Sequence, residues 1–237
     1  MTETIGSDAP IYNRLLAALP AGEYRRLLPD LEQIPLTYGE SLYERGDTIE
    51  YVYFPDSGII SLLAVEDGAM LEVGIVGREG IVGIAVFLGV KTSSNRAIVQ
   101  GQGFAMRMKT AAFLTECDQR GMLPRLLRRF TQSLLAQVSQ SAVCYRLHSA
   151  EDRLARWLLM TSDRMETKDF HLTQDFLSNM VGVRREAVNK SAVILQQEHL
   201  ITYSRGNISI TNRQGLEMKA CRCYAAIKDE EKSFPAK

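Results

Sequence analysis

The sequence lacks what would carry it out of the cell or into a membrane. No apolar run in its 237 residues approaches the ~20 that a membrane-spanning helix requires. Residues 1–10 are polar and acidic, with no basic flank leading into an apolar stretch, so no secretory signal is read and a cytoplasmic location is expected. Cysteine is scarce, at four residues (Cys117, Cys144, Cys221 and Cys223), and none of them forms a Cys-x-x-Cys pair. Cys221 and Cys223 make a Cys-x-Cys with no second pair and no neighbouring histidine to complete a zinc site, so all four are expected to be ordinary reduced thiols. No nucleophile elbow, phosphate loop or metal-ligand helix is present, which argues against an enzyme. No metal and no cofactor are identified, and no internal repeat is found.

Net charge is also missing: 28 Lys+Arg balance 28 Asp+Glu. The balance is uneven along the chain. Residues 1–150 carry 14 basic against 16 acidic side chains, and the remainder 14 against 12. A nucleic-acid binder need not be basic overall, because binding depends on where the charge sits.

Residues 11–33 read as two short helices interrupted at Pro20. From Ile34 to about Met108, β-branched and aromatic runs alternate with turns, and glycines at 46, 58, 68 and 77 recur roughly every ten residues. That rhythm predicts an antiparallel barrel or sandwich. Residues 83–90 read as a short buried helix or turn. A long helix is predicted over 122–147, with Pro124 tolerated in its first turn. Leu123, Leu127, Phe130, Leu134, Val138 and Tyr145 form a coiled-coil-like seam on it, read as a dimer interface rather than an intramolecular core face. Ser149 followed by Glu151 and Asp152 predicts a capped new helix, with a hinge at His148–Ser149. The tail from Lys228 is expected to fray.

The informative stretch is 173–190. Thr173 can cap a short helix whose buried face is Phe176, Leu177, Met180 and Val181. Gly182 stands where that helix must end with positive φ. A second helix opens at Arg184, with Val188, Ala192 and Leu195 turned inward. Arg184, Arg185, Glu186, Asn189 and Lys190 are then left on its exposed side, residue types that read base edges or grip phosphates. Residues 200–210 read as a hairpin with Arg205 at its tip. Helix, glycine turn, basic helix and hairpin in succession predict a winged helix-turn-helix that binds double-stranded DNA, with Thr173 and Arg205 among its DNA-facing residues. A helix-turn-helix that docks a protein instead is the alternative, separable by salt dependence.

With these elements in place, the chain from about 11 to 217 resembles the Crp–Fnr superfamily. Val181-Gly182-Val183-Arg184-Arg185-Glu186-Ala187-Val188-Asn189-Lys190 is similar to that family's recognition helix, Gly-x-Ser-Arg-Glu-Thr-Val-x-Arg. The match implies that Arg185, Glu186 and Lys190 hold the main base-reading positions, with Lys190 in place of the usual arginine and Arg184 where serine is common. It implies an α+β chain: a cyclic-nucleotide-binding-like sensor domain over 1–118, a dimerisation helix over 119–148 and a winged helix-turn-helix over 149–237. In the sensor, Gly83 and Ile84, and Arg96 and Ala97, match the phosphate and ribose cassette. Ile84 replaces its glutamate and Ala97 its hydroxyl residue, so the effector is expected not to be cyclic AMP and is left unidentified. With no cysteine before Cys117, an N-terminal iron–sulfur cluster is not expected. His148, His171 and His199 are read as structural. The resemblance implies a homodimeric transcription regulator on an inverted repeat, with RNA polymerase as a further candidate partner.

Overall fold

A computed structural model describes residues 11–204 and 206–232. Of these, 11–63 and 75–135 form one compact unit, and 64–74 with 136–231 form the other. No described helix is long and apolar enough to cross a membrane.

The first unit opens with helices α1 (Arg14–Ala17) and α2 (Ala21–Leu27) on either side of Pro20. Asn13 explains why so short a helix as α1 holds. Its side-chain oxygen accepts from the Leu15 and Leu16 amides at 3.0 and 3.2 Å, satisfying donors the first turn leaves open. Its amide donates to the Pro55 and Gly80 carbonyls at 3.0 and 2.9 Å, so a fully buried polar side chain is bonded on both sides.

Seven strands follow in two antiparallel sheets. One has the order β1 (Glu32–Leu36), β7 (Gly103–Lys109), β3 (Tyr51–Pro55). The other runs β2 (Ser41–Tyr43), β6 (Arg96–Gly101), β4 (Ile59–Glu66), β5 (Ala69–Val76). The 83–90 segment contains a single 3₁₀ turn over Ile84–Val86, and while Val86 is buried, Leu88 and Val90 are exposed. Helix α3 (Thr110–Cys117), which has no counterpart in the sequence reading, lays Phe113 edge-on to Phe54 with ring centroids 6.3 Å apart.

Helix α4 spans Leu123–Leu147. Its N-terminal amides are capped from a distance in sequence: Glu23 accepts from the Met122 amide at 2.9 and 3.0 Å and from that of Leu123 at 3.2 Å. A carboxylate there also faces the positive end of the helix dipole.

In the second unit, which takes in the C-terminal half of α4, helix α5 (Ala150–Met165) follows. The cap expected at Ser149 is a capping box, in which Ser149 and Asp152 each accept through the side chain from the other's amide. Helices α6 (Gln174–Val181) and α7 (Arg185–Gln197) come next. The wing is β9 (Ile201–Ser204) paired with β10 (Asn207–Ile210), and β8 (Asp169–His171), not foreseen in the sequence, adds a third strand. Helices α8 (Arg213–Lys219) and α9 (Cys223–Lys232) close the chain. The fraying expected from Lys228 does not begin there. Helix α9 continues to Lys232, and Glu231 in its last turn pairs with the guanidinium of Arg164, only 4% exposed.

Candidate nucleic-acid interface and sensor site

Recognition begins with the amphipathic pattern of α7. Val188, Ala192 and Leu195 are at most 1% exposed, while Arg184, Arg185, Glu186, Asn189 and Lys190 all face solvent. Burying the apolar stripe fixes the helix's rotation, and rotation alone decides which side chains are offered outward. The preceding turn sets its direction. Gly182 ends α6 with φ of 67° and passes its amide to the Ser178 carbonyl. A side chain at 182 would meet Leu71 Cδ1 at 2.6 Å and the Tyr145 ring at 3.1 Å, so both the conformation and the space call for glycine.

The turn is clamped from behind. The Tyr145 hydroxyl donates to the Glu72 and Met180 carbonyls. Arg153 Nη1 donates to the Gly182 carbonyl at 3.3 Å and lies over the Tyr145 ring. Trp157, 1% exposed, is anchored by its indole N–H donating to Glu72 Oε1 at 2.9 Å.

Between α6, α7 and the wing lies an open concavity of about 670 Å³, lined by Thr173, Gln174, Arg185, Asn189, Tyr203 and Ser204 among others. Thr173 caps α6, its hydroxyl accepting from the Phe176 amide at 3.1 Å. Arg185 Nε donates to Gln174 Oε1 at 2.9 Å, and its Nη1 stands 3.4 Å from Asp175. Both members of that ion pair are more than half exposed, at 60% and 74%, so the pair holds the guanidinium in place at an energy of only ~0–1 kcal/mol and exchanges readily for a stronger acceptor. Gln174 also donates to Asn189 at 3.4 Å, linking the two helices through one amide. Arg205 lies outside the described residues.

The residues matched to the sensor cassette are engaged within the chain itself. Gly83, at φ 95°, leads into the 3₁₀ turn that starts at Ile84. Ala97 is fully buried in β6. Arg96 Nε lies 3.2 Å from Glu44 and donates to Ser41 Oγ at 3.4 Å. The Tyr43 phenol is bonded to Ser93 and to the Gly83 backbone, and burial pushes its pKa up to about 12.

The seam on α4 needs correcting over its first half. Leu123, Leu127 and Phe130 are 3%, 0% and 4% exposed within the single chain, and Phe130 covers Gly80 so closely that a Cβ there would lie 2.1 Å from its ring. Leu134, Val138 and Tyr145 are half-buried, and the Tyr145 hydroxyl is engaged as described. The apolar side chains that α4 leaves open are Leu135, Val143 and Leu147. A heptad repeat reports that a stripe will be covered; the stripe here is partly covered by the chain's own first unit.

The cysteines also depart from the sequence reading. Cys144, His148, Cys221 and Cys223 meet, with one ligand atom from each lying within 4.8 Å of all the others. The missing histidine is supplied 73 positions before Cys221 in the chain, one helical turn after Cys144, and only the i, i+4 spacing of Cys144 and His148 could have flagged it.

Comparisons with known proteins agree with this architecture. Residues 34–120 match the cyclic nucleotide-binding domain family, and residues 152–218 match the Crp-like helix-turn-helix domain family. No curated protein matches the chain. Among solved structures, FixK2 from Bradyrhizobium japonicum superposes with a TM-score of 0.69 at 16% identity, covering 81% of this chain and 98% of that one. The c-di-GMP-responsive global regulator CLP of Xanthomonas campestris gives 0.65 at 20% identity, covering 81% and 99%. A CRP-family transcriptional regulator of Thermus thermophilus gives 0.66 at 16%, covering 79% and 96%. At these identities the likeness is one of fold. With a cyclic nucleotide-binding domain ahead of a long helix and a Crp-like helix-turn-helix behind it, the chain belongs to the Crp–Fnr superfamily of DNA-binding transcription regulators.

Proposed function

We propose that the chain is a sequence-specific regulator that grips an inverted repeat as a homodimer, with Arg185, Glu186 and Lys190 reading bases. Arg184, Asn189, Thr173 and Arg205 contact the backbone or neighbouring bases. The observation that carries this reading is the sorting of α7, with its apolar residues buried and every one of its five polar N-terminal residues exposed. Arg185 suits a guanine, Glu186 a cytosine amino group, and Lys190 gives a point charge where a guanidinium would give a planar fork. Selection of binding sites from random duplexes should return half-sites about one helical turn apart. Arg185→Ala should weaken the best site by ~1–3 kcal/mol and relax one base position. Unchanged affinity and selectivity in that variant would remove the base-reading assignment.

The sensor is proposed to respond to a ligand other than cyclic AMP. Arg96 already has Glu44 and Ser41 as partners, Tyr43 bonds the Gly83 backbone, and the Ile84 and Ala97 side chains have no polar atom to offer a ribose or phosphate. A cyclic phosphate entering here would displace an ion pair without gaining the hydrogen bonds that offset its desolvation. Calorimetric titration with cyclic AMP should show no heat of binding at micromolar protein; saturable binding would overturn this.

A further inference from the structure

We propose that Cys144, His148, Cys221 and Cys223 together bind one zinc ion as a closed, structural site. Cys144 lies in the last turn of α4 and His148 directly follows that helix, its amide bonded to the Cys144 carbonyl, while Cys221 and Cys223 arrive from the segment that starts α9. All four belong to the second unit. The Cys144 and Cys221 sulfurs are 3.5 Å apart, and Cys223 Sγ is 3.4 Å from His148 Nδ1. Tetrahedral zinc with arms of ~2.0–2.3 Å sets its ligand atoms ~3.5–3.8 Å apart, so the four need move little to enclose an ion. Four atoms converging on one point suit a single metal rather than a multi-iron cluster. Three thiols with an imidazole form one of the donor sets of structural zinc, and their softness disfavours magnesium or calcium.

A second observation comes from the surroundings. Arg156 is 3% exposed, and its charge reaches both Cys144 and Cys221. Its described partners are Ser141 Oγ and the Met160 sulfur, its Nε has no hydrogen-bond partner, and no carboxylate pairs with it among the described residues. A buried guanidinium without an anion is costly. Zinc held by three thiolates and a neutral histidine carries a net charge of −1, which supplies the missing counter-charge. The sulfurs also have donors of their own: Gln140 Nε2 is 3.1 Å from Cys223 Sγ, and the Cys223 backbone amide bonds to Cys221. Such outer contacts orient ligands in metal sites. Metal uptake would release the thiol protons and fix the end of α4 to the start of α9.

The test uses the full-length protein, purified under reducing conditions without chelator and analysed by plasma mass spectrometry. About one zinc per chain is expected, released together with three titratable thiols on mercurial treatment, and cobalt substitution should give the visible bands of tetrahedral thiolate coordination. Cys221→Ser should lose most of the zinc. His148→Cys, which rebuilds a four-thiolate set, should keep it, so metal loss is distinguishable from misfolding. Chelation of the parent protein should lower its Tm. Metal-free protein that takes up no added zinc, iron or copper in place of zinc, a Cys144–Cys221 disulfide in reduced preparations, or zinc content unchanged by Cys221→Ser would each overturn the proposal.

Discussion

Asp163 is the residue on which the charges of the second unit converge. Burial alone would raise its pKa, but the Tyr224 hydroxyl and the Arg213 and Lys228 cations outweigh that and hold it below the ordinary carboxylate value. A depressed folded pKa means stabilisation that is present above the unfolded value of ~3.9 and is lost as pH falls through the folded value. Asp163→Asn should therefore melt below the parent at pH 7, and the two melting curves should converge as pH drops below 4. A deficit that persisted unchanged at acid pH would show that packing, not charge, makes Asp163 matter.

At the scale of elements, the turn between α6 and α7 decides where the reading helix points. Gly182→Ala places a Cβ at positive φ and against Leu71 and Tyr145. The left-handed backbone costs a non-glycine residue ~1–2 kcal/mol before any clash is counted. The variant should lose at least that much in denaturant unfolding, and its DNA affinity should fall further than its stability, because the turn must shift to admit the methyl. This turn was legible in the sequence because its determinants are local: a cap at Thr173, an apolar stripe, and a glycine at the stop. The Ser149 cap and the 122–147 helix were legible for the same reason. What escaped depends on partners remote in the chain. Glu23 capping α4, Asn13 bridging Pro55 and Gly80, and His148 joining Cys221 leave no periodic trace. The same limit explains the misassigned half of the α4 seam, since periodicity tells that Leu127 is covered but not by which chain. Strand β8, three residues long, falls below the length at which alternation registers.

At the scale of the molecule, the proposed dimer has available to it the apolar side chains that α4 leaves open. Leu135, Val143 and Leu147 are 58%, 44% and 68% exposed, and lie four and eight positions apart on the helix. With about half of each side chain still open, burying the rest against a second copy would contribute ~1–1.5 kcal/mol apiece. Leu147→Glu puts a charge in that contact and leaves the chain's own core untouched. It should shift the protein toward monomer in sedimentation equilibrium and reduce binding to a full inverted repeat far more than to an isolated half-site. A variant that stayed dimeric at the same concentration would place the subunit contact elsewhere.

Glu72 sets a limit on how this protein can be dissected. It sits in the loop-and-strand excursion 64–74, which is contributed by the β4–β5 hairpin yet clusters with the DNA-reading residues. Cutting the chain anywhere in the long helix, as its two-part family organisation invites, would strand that excursion with the wrong fragment. A C-terminal piece cut before Tyr145 would keep Trp157 while losing the acceptor of its indole N–H, at a cost of ~1–3 kcal/mol if that donor is left dry, and would leave the Tyr145 hydroxyl only its bond to the Met180 carbonyl. The reading head is thus a discontinuous module, and a faithful minimal version must carry a graft of the sensor hairpin.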